Sequence, residues 1–249
     1  METNVEVSLL SVSSTLDHQI SRAAFWSTVI ALGTGVLSFF LPLDVPGGYE
    51  ATNSERVAWL AANSGSFILG WINQIVAMIS LSGVFAGIAW QIAGTHPLRA
   101  ILAASLVAIS MGVFFVPKFI AVWTIPMLAE AIATGSAVSD MAETLLPILN
   151  VTVPFSLYTS FDYLGFWLYS LFALLVAGPL LRGSLTAKVV GITLGGFGLS
   201  YNGVVIAALA RAIAGPQIET YILGVSGFLL IVTISGLFLF RGASTGSAA

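Results

Sequence analysis

Ionisable and amide side chains inside long apolar runs are where this sequence could do chemistry, because in hydrocarbon each must find a partner or a ligand. Lys118 lies nineteen residues beyond Arg99, about 28 Å along a helix, and Asp162 lies twenty residues before Arg182, about 30 Å. If Arg99 and Arg182 mark one membrane boundary, Lys118 and Asp162 reach the other at the same level. They either form an ion pair or snorkel separately to the interface. Asn202 precedes Arg211 by nine residues, about 13 Å, which puts Tyr201 and Asn202 near mid-membrane. Asn73 and Gln74 fall in the outer half of their run. Each of these amides and hydroxyls could serve a ligand, or could link two helices at about 0.6–2 kcal/mol per contact.

Together with Tyr163 and Glu130, these residues crowd one half of the membrane. That asymmetry predicts a polar cavity opening outward between helices two to five. The candidate ligand-binding set is Asn73, Gln74, Lys118, Asp162, Tyr163, Tyr201 and Asn202. Were the protein an enzyme, Asp162 or Glu130 would be its proton donor. The aromatic flank of Trp71, Trp123, Phe161, Phe166 and Trp167 equally suits an interfacial belt.

The elements that position these residues follow from composition. Of 249 residues 57% are hydrophobic and 8% charged, with a mean hydropathy of +1.00. Soluble domains carry about a quarter charged residues, so this chain is read as an integral membrane protein. It holds no cysteine, which removes disulfides, thiolate metal sites and Cys nucleophiles. Its two histidines, His18 and His96, lie outside the apolar runs, so no metal centre or cofactor is expected. A net charge of −3 without a basic cluster argues against nucleic-acid binding.

A span needs about 20 apolar residues. Six segments qualify, at about 23–43, 67–93, 98–116, 157–181, 189–210 and 221–240. The expected fold is an all-α polytopic membrane bundle of six transmembrane helices. The first apolar run is too long for a signal peptide and is read as a retained helix. Residues 1–22 are read as a loose polar cytoplasmic tail and 242–249 as a short disordered one, flanking a single bundle over 23–241. Arg22, Arg99, Arg182, Lys188 and Arg241 share one side, against Arg56, Lys118 and Arg211 on the other. By the positive-inside rule both termini face the cytoplasm of a bacterial plasma membrane.

From Leu98 to Thr134 the chain is apolar for 37 residues, about 55 Å as one helix. Pro117 and Pro126 interrupt it. The reading adopted is a span at 98–116, followed by short helices at 119–134 and 139–149 that lie at the outer interface or re-enter the membrane from it. Counting 119–134 as a seventh span would reverse the sidedness of Arg182 and Lys188.

Glycines Gly83 and Gly87, and those from Gly191 to Gly203, recur at spacings that let helix backbones approach closely. They lack the strand, lysine and loop context of a phosphate cradle. Gly198-Leu199-Ser200-Tyr201 is similar to the Gly-x-Ser of rhomboid proteases, but no histidine lies in a span to activate that serine.

The run Tyr163-Leu164-Gly165-Phe166-Trp167-Leu168-Tyr169-Ser170-Leu171-Phe172, then Arg182 and a glycine-rich span, resembles the second half of a family of uncharacterised bacterial multi-pass membrane proteins grouped under a domain of unknown function. That resemblance implies a six-span layout and lends no reaction or site residues. The partners expected are the lipid bilayer and a small amphipathic or apolar molecule, or else another membrane protein. Four roles compete: a protein holding such a molecule, an accessory or assembly subunit, a membrane enzyme acting on a lipid or isoprenoid, and a proton-coupled carrier.

Overall fold

The computed structural model describes residues 2–153 and 156–241, with side chains described from Thr15 onward except at 215 and 216. The tail read at 242–249 lies outside the described residues. All regular structure among the described residues is helical: α1 (Glu2–Leu37), α2 (Asn53–Gln91), α3 (Pro97–Phe119), α4 (Ile125–Ala133), α5 (Ser139–Leu149), α6 (Leu157–Leu180), α7 (Leu185–Leu209) and α8 (Gly215–Leu239). Six stretches are long and apolar enough to cross a membrane: Thr15–Leu37, Asn53–Gln91, Pro97–Ala133, Leu157–Leu180, Leu185–Leu209 and Gln217–Leu239. The protein is a multi-pass, all-helical bundle.

Three elements are longer than their apolar runs. α1 is helical from Glu2, where the sequence suggested a loose tail, and no glycine or proline precedes Gly33 to stop it. α2 starts at Asn53 because Thr52 and Glu55 form a reciprocal capping box, with Thr52 N donating to Glu55 Oε2 at 2.8 Å and Glu55 N to Thr52 Oγ1 at 3.3 Å. It kinks at Asn63 (φ −124°, ψ 17°), whose side-chain amide donates to the Trp59 carbonyl at 2.9 Å.

The third departure is at Pro117. The chain does not turn there into a separate interfacial helix. A π turn over Ile120–Thr124 joins α3 directly to α4, so Pro97–Ala133 runs on as one 37-residue rod. The wider turn accommodates backbone groups that the two prolines leave without helical partners. At 1.5 Å per residue α2 and the α3–α4 rod reach about 55–58 Å, well past a hydrocarbon core of about 30 Å.

Two apolar cores result. The main one packs Phe85, Phe114, Tyr169, Phe172, Phe197 and Tyr201 between α2, α3, α6 and α7. The second joins Val57, Leu60, Phe67 and Trp71 of α2 to Ala121, Ile125, Ala129, Leu146 and Tyr158. It forms a cap built by the overhang of α2 and α4 with α5 laid against it. At the opposite end Gly87 of α2 abuts Ala24 of α1 and Phe240 just after α8, and Trp90 Nε1 donates to Asp17 Oδ1 at 2.8 Å.

Close helix contact depends on a few glycines. A Cβ on Gly198 of α7 would meet Leu174 at 2.8 Å and the Ser170 carbonyl of α6 at 3.0 Å, whereas one on Gly203 would meet nothing within 4 Å. Gly198→Ala is therefore expected to cost about 1–3 kcal/mol by overpacking. Gly203→Ala should be neutral or stabilising by up to about 1 kcal/mol, through helix propensity alone. Equilibrium unfolding of the two variants in mixed micelles checks the opposite signs.

Candidate functional site

The cap end holds two buried ion pairs. Arg56, in the first turn of α2, donates through Nη1 to Asp44 Oδ2 at 2.6 Å and to Thr152 Oγ1 at 2.7 Å, and through Nη2 to the Gly48 carbonyl at 2.9 Å. Thr152 Oγ1 donates to the same Asp44 oxygen. The Arg56 and Asp44 side chains are only 4% and 8% exposed. One guanidinium thus ties the α1–α2 loop, the start of α2 and the α5–α6 connection into a single corner, using the fork that lysine lacks.

The second pair is the one whose depth the sequence matched. Lys118 Nζ donates to Asp162 Oδ1 at 2.7 Å, with side-chain exposures of 4% and 25%. The ammonium also lies 4.6 Å from the Phe114 ring centroid and 5.9 Å from that of Tyr158. Two aromatic faces and one carboxylate therefore replace the water that this cation has lost. Lys118 lies in the last turn of α3, two residues before the π turn.

Beside these pairs lies a cavity of ≈ 240 Å³, bounded by the α1–α2 loop, α2, the α5–α6 connection, α6 and α8. Tyr49, Trp71, Tyr158, Tyr163 and Phe166 supply aromatic wall, and Ile222 and Leu223 aliphatic wall. Its polar lining is Thr152, Thr159, Asp162, Glu219 and Ser226. The Tyr158 residue is 3% exposed, and its buried hydroxyl has no hydrogen-bond partner among the described residues. Leaving such a group unpaired normally costs about 1–3 kcal/mol; Tyr158 lines the cavity, while its hydroxyl is enclosed by protein. Tyr49, in the loop, has its phenol pushed up well above the usual tyrosine range by burial, and further by Tyr163, Glu219 and Asp44. It remains a neutral hydroxyl at physiological pH.

The residues singled out in the sequence separate into two groups. Asp162 and Tyr163 line the cavity, and Lys118 stands directly behind Asp162. The other four link helices. Asn73 Nδ2 donates to the Thr34 carbonyl and to Ser38 Oγ, both at 3.0 Å, and Gln74 Nε2 donates to Ser38 Oγ at 2.8 Å, joining α2 to α1. Tyr201 donates to the Tyr163 carbonyl at 2.9 Å. Asn202 accepts from Trp167 Nε1 at 3.0 Å and donates to Ser170 Oγ at 3.0 Å and the Gly198 carbonyl at 2.8 Å, joining α7 to α6. Glu130 is exposed on α4 and does not line the cavity.

The cavity also borders a different set of helices from the one expected. It lies between α2, α6 and α8 under the cap, the second, fourth and sixth apolar stretches, and not among the second to fifth. Sequence reasoning passed over Arg56, Asp44, Thr152, Tyr49, Tyr158 and Glu219. Asp44, Arg56 and Glu219 were visible only as loop charges, and nothing in their spacing places them against the bundle. Among the described residues no group of three or more His, Asp or Glu side chains is arranged to hold a metal ion. No family model, curated protein or solved structure matches the chain.

Proposed function

We propose that this multi-pass membrane protein holds a small amphipathic molecule in the cavity beneath the cap, with the polar end of the ligand against Asp162 and Glu219. A mostly apolar, aromatic-walled pocket whose lining includes two carboxylates, Asp162 and Glu219, is the observation that carries this reading. The volume suits a head group and a short length of chain, while the walls contributed by α6 and α8 let the remaining chain continue into lipid. The same reading places the membrane around the six apolar stretches, with the termini in the cytoplasm of a bacterial plasma membrane and the cap outside. The five basic residues Arg22, Arg99, Arg182, Lys188 and Arg241 on the terminal side support that orientation.

Native mass spectrometry of gently solubilised protein should reveal a co-purifying small mass. Glu219→Gln should weaken retention of that mass while the ligand-free protein keeps its stability, because Glu219 lines the cavity and has no ion-pair partner to lose among the described residues. Loss of ligand without loss of stability separates a binding role from a packing role. A bare chain, or one bound to a larger protein with no small mass, would overturn the reading.

A further inference from the structure

The geometry points to a cation as the polar head of the cavity's occupant: an alkylammonium amphiphile, seated between aromatic faces and the Glu219 carboxylate. This inference rests on the ligand-holding role proposed above and adds the chemical class.

The lining sets the sign of the charge. Two carboxylates, Asp162 and Glu219, line the cavity, and among the described residues no lysine, arginine or histidine does. Asp162 is already engaged by Lys118, and Lys118 is itself covered by the Phe114 and Tyr158 rings. The Arg56–Asp44 pair is closed on itself. Glu219, by contrast, is half-buried and has no cation within ion-pair distance among the described residues. The balance of the site is therefore one uncompensated negative charge. An anionic head would meet Glu219 in a medium of low dielectric, where like charges repel strongly. A neutral head would gain hydrogen bonds and leave the carboxylate without its counter-charge.

The lining also sets the kind of cation. Tyr49, Trp71, Tyr158, Tyr163 and Phe166 supply five aromatic side chains to one small cavity. Trp71 and Tyr158 meet edge to face with centroids 5.1 Å apart, so the rings form a connected wall. Aromatic walls with a nearby carboxylate favour large, weakly hydrated cations such as methylated ammonium groups, whose alkyl surface also gains from burial. The apolar residues Ile222 and Leu223 of α8 then receive the first part of the chain.

The test uses the full-length protein in neutral maltoside micelles, titrated with octyltrimethylammonium, octanol and octanoate and followed by native mass spectrometry. The octyltrimethylammonium adduct should form about tenfold more tightly than the octanol adduct, from the cation–π and charge terms together, and octanoate should bind least. Glu219→Gln should reduce that preference to within about threefold, and retention of the full preference would overturn the role given to Glu219. Equal or tighter binding of octanol or octanoate to the wild-type chain would overturn the cation assignment and leave the ligand-holding role intact. If none of the three binds, that role fails as well. Phosphatidylcholine doped into the micelles, against diacylglycerol with the same chains, identifies the source of the cation. Competition by phosphatidylcholine alone means a lipid head group, and no competition by either means a free amphiphilic amine.

Discussion

Arg56→Ala is expected to lower stability by about 3–5 kcal/mol, the loss typical of removing one partner from a buried ion pair. The reason lies in what remains. Asp44, 8% exposed, would keep its charge with only the Thr152 hydroxyl beside it, and its second oxygen already lacks a partner. The Gly48 carbonyl and Thr152 would also lose a donor. Arg56→Lys should recover less than half of the loss, since one ammonium cannot reproduce the two-nitrogen fork that reaches three acceptors. Arg56→Met combined with Asp44→Leu should recover more than Arg56→Lys, because both charges leave together. Unfolding in mixed micelles measures all four proteins, and a loss under about 1 kcal/mol for Arg56→Ala would show that this corner carries no stability. Ligand retention should fall with Arg56→Ala too, because Tyr49 and Thr152 are cavity walls held by that corner.

Replacing the two members of the second pair should give unequal results. Asp162→Leu leaves Lys118, 4% exposed, as a buried cation with only ring faces for company. A loss of about 3–5 kcal/mol is expected. Lys118→Met leaves Asp162, which is 25% exposed and retains some water, so the loss should be nearer 1–3 kcal/mol. The double variant Lys118→Met/Asp162→Leu should be less destabilised than Asp162→Leu alone, and the double-mutant cycle then yields a coupling of at least about 1 kcal/mol. Equal single losses with no coupling would mean that each residue reaches solvent on its own, the snorkelling alternative. The separation of charge from packing also matters for function. Asp162 lines the cavity, so its replacement disturbs both fold and site, whereas Glu219→Gln disturbs the site alone.

Much of the architecture was legible because transfer free energy acts on each segment by itself. Twenty apolar residues favour hydrocarbon wherever they stand in the chain, so six crossing stretches could be read directly, with their ends within a few residues on α6 and α7. The depth of Lys118 and Asp162 was legible for the same reason: helix rise converts residue counts from Arg99 and Arg182 into height. Height is one coordinate only. Whether two side chains at one height face one another depends on helix rotation and neighbour order, which come from packing. Asn73 and Asn202 illustrate this, since their depth was readable but their partners Ser38 and Ser170 were not.

Helix continuity was harder still. Pro117 and Pro126 read locally as breaks, yet a π turn carries the rod through both, supported by Ala121, Ile125 and Ala129 packing on α2. The cap follows from that continuation, and the corner around Arg56 and the cavity lie beside it. They join residues as far apart as Asp44 and Thr152, or Tyr49 and Glu219, that share no local pattern. Composition and periodicity act along the chain and were enough to establish a six-stretch helical membrane protein and the level of its charged residues. Which helices neighbour one another, and therefore which charges pair and which carboxylate is left to face a cavity, is set by contacts between distant segments and was resolved only in the folded bundle.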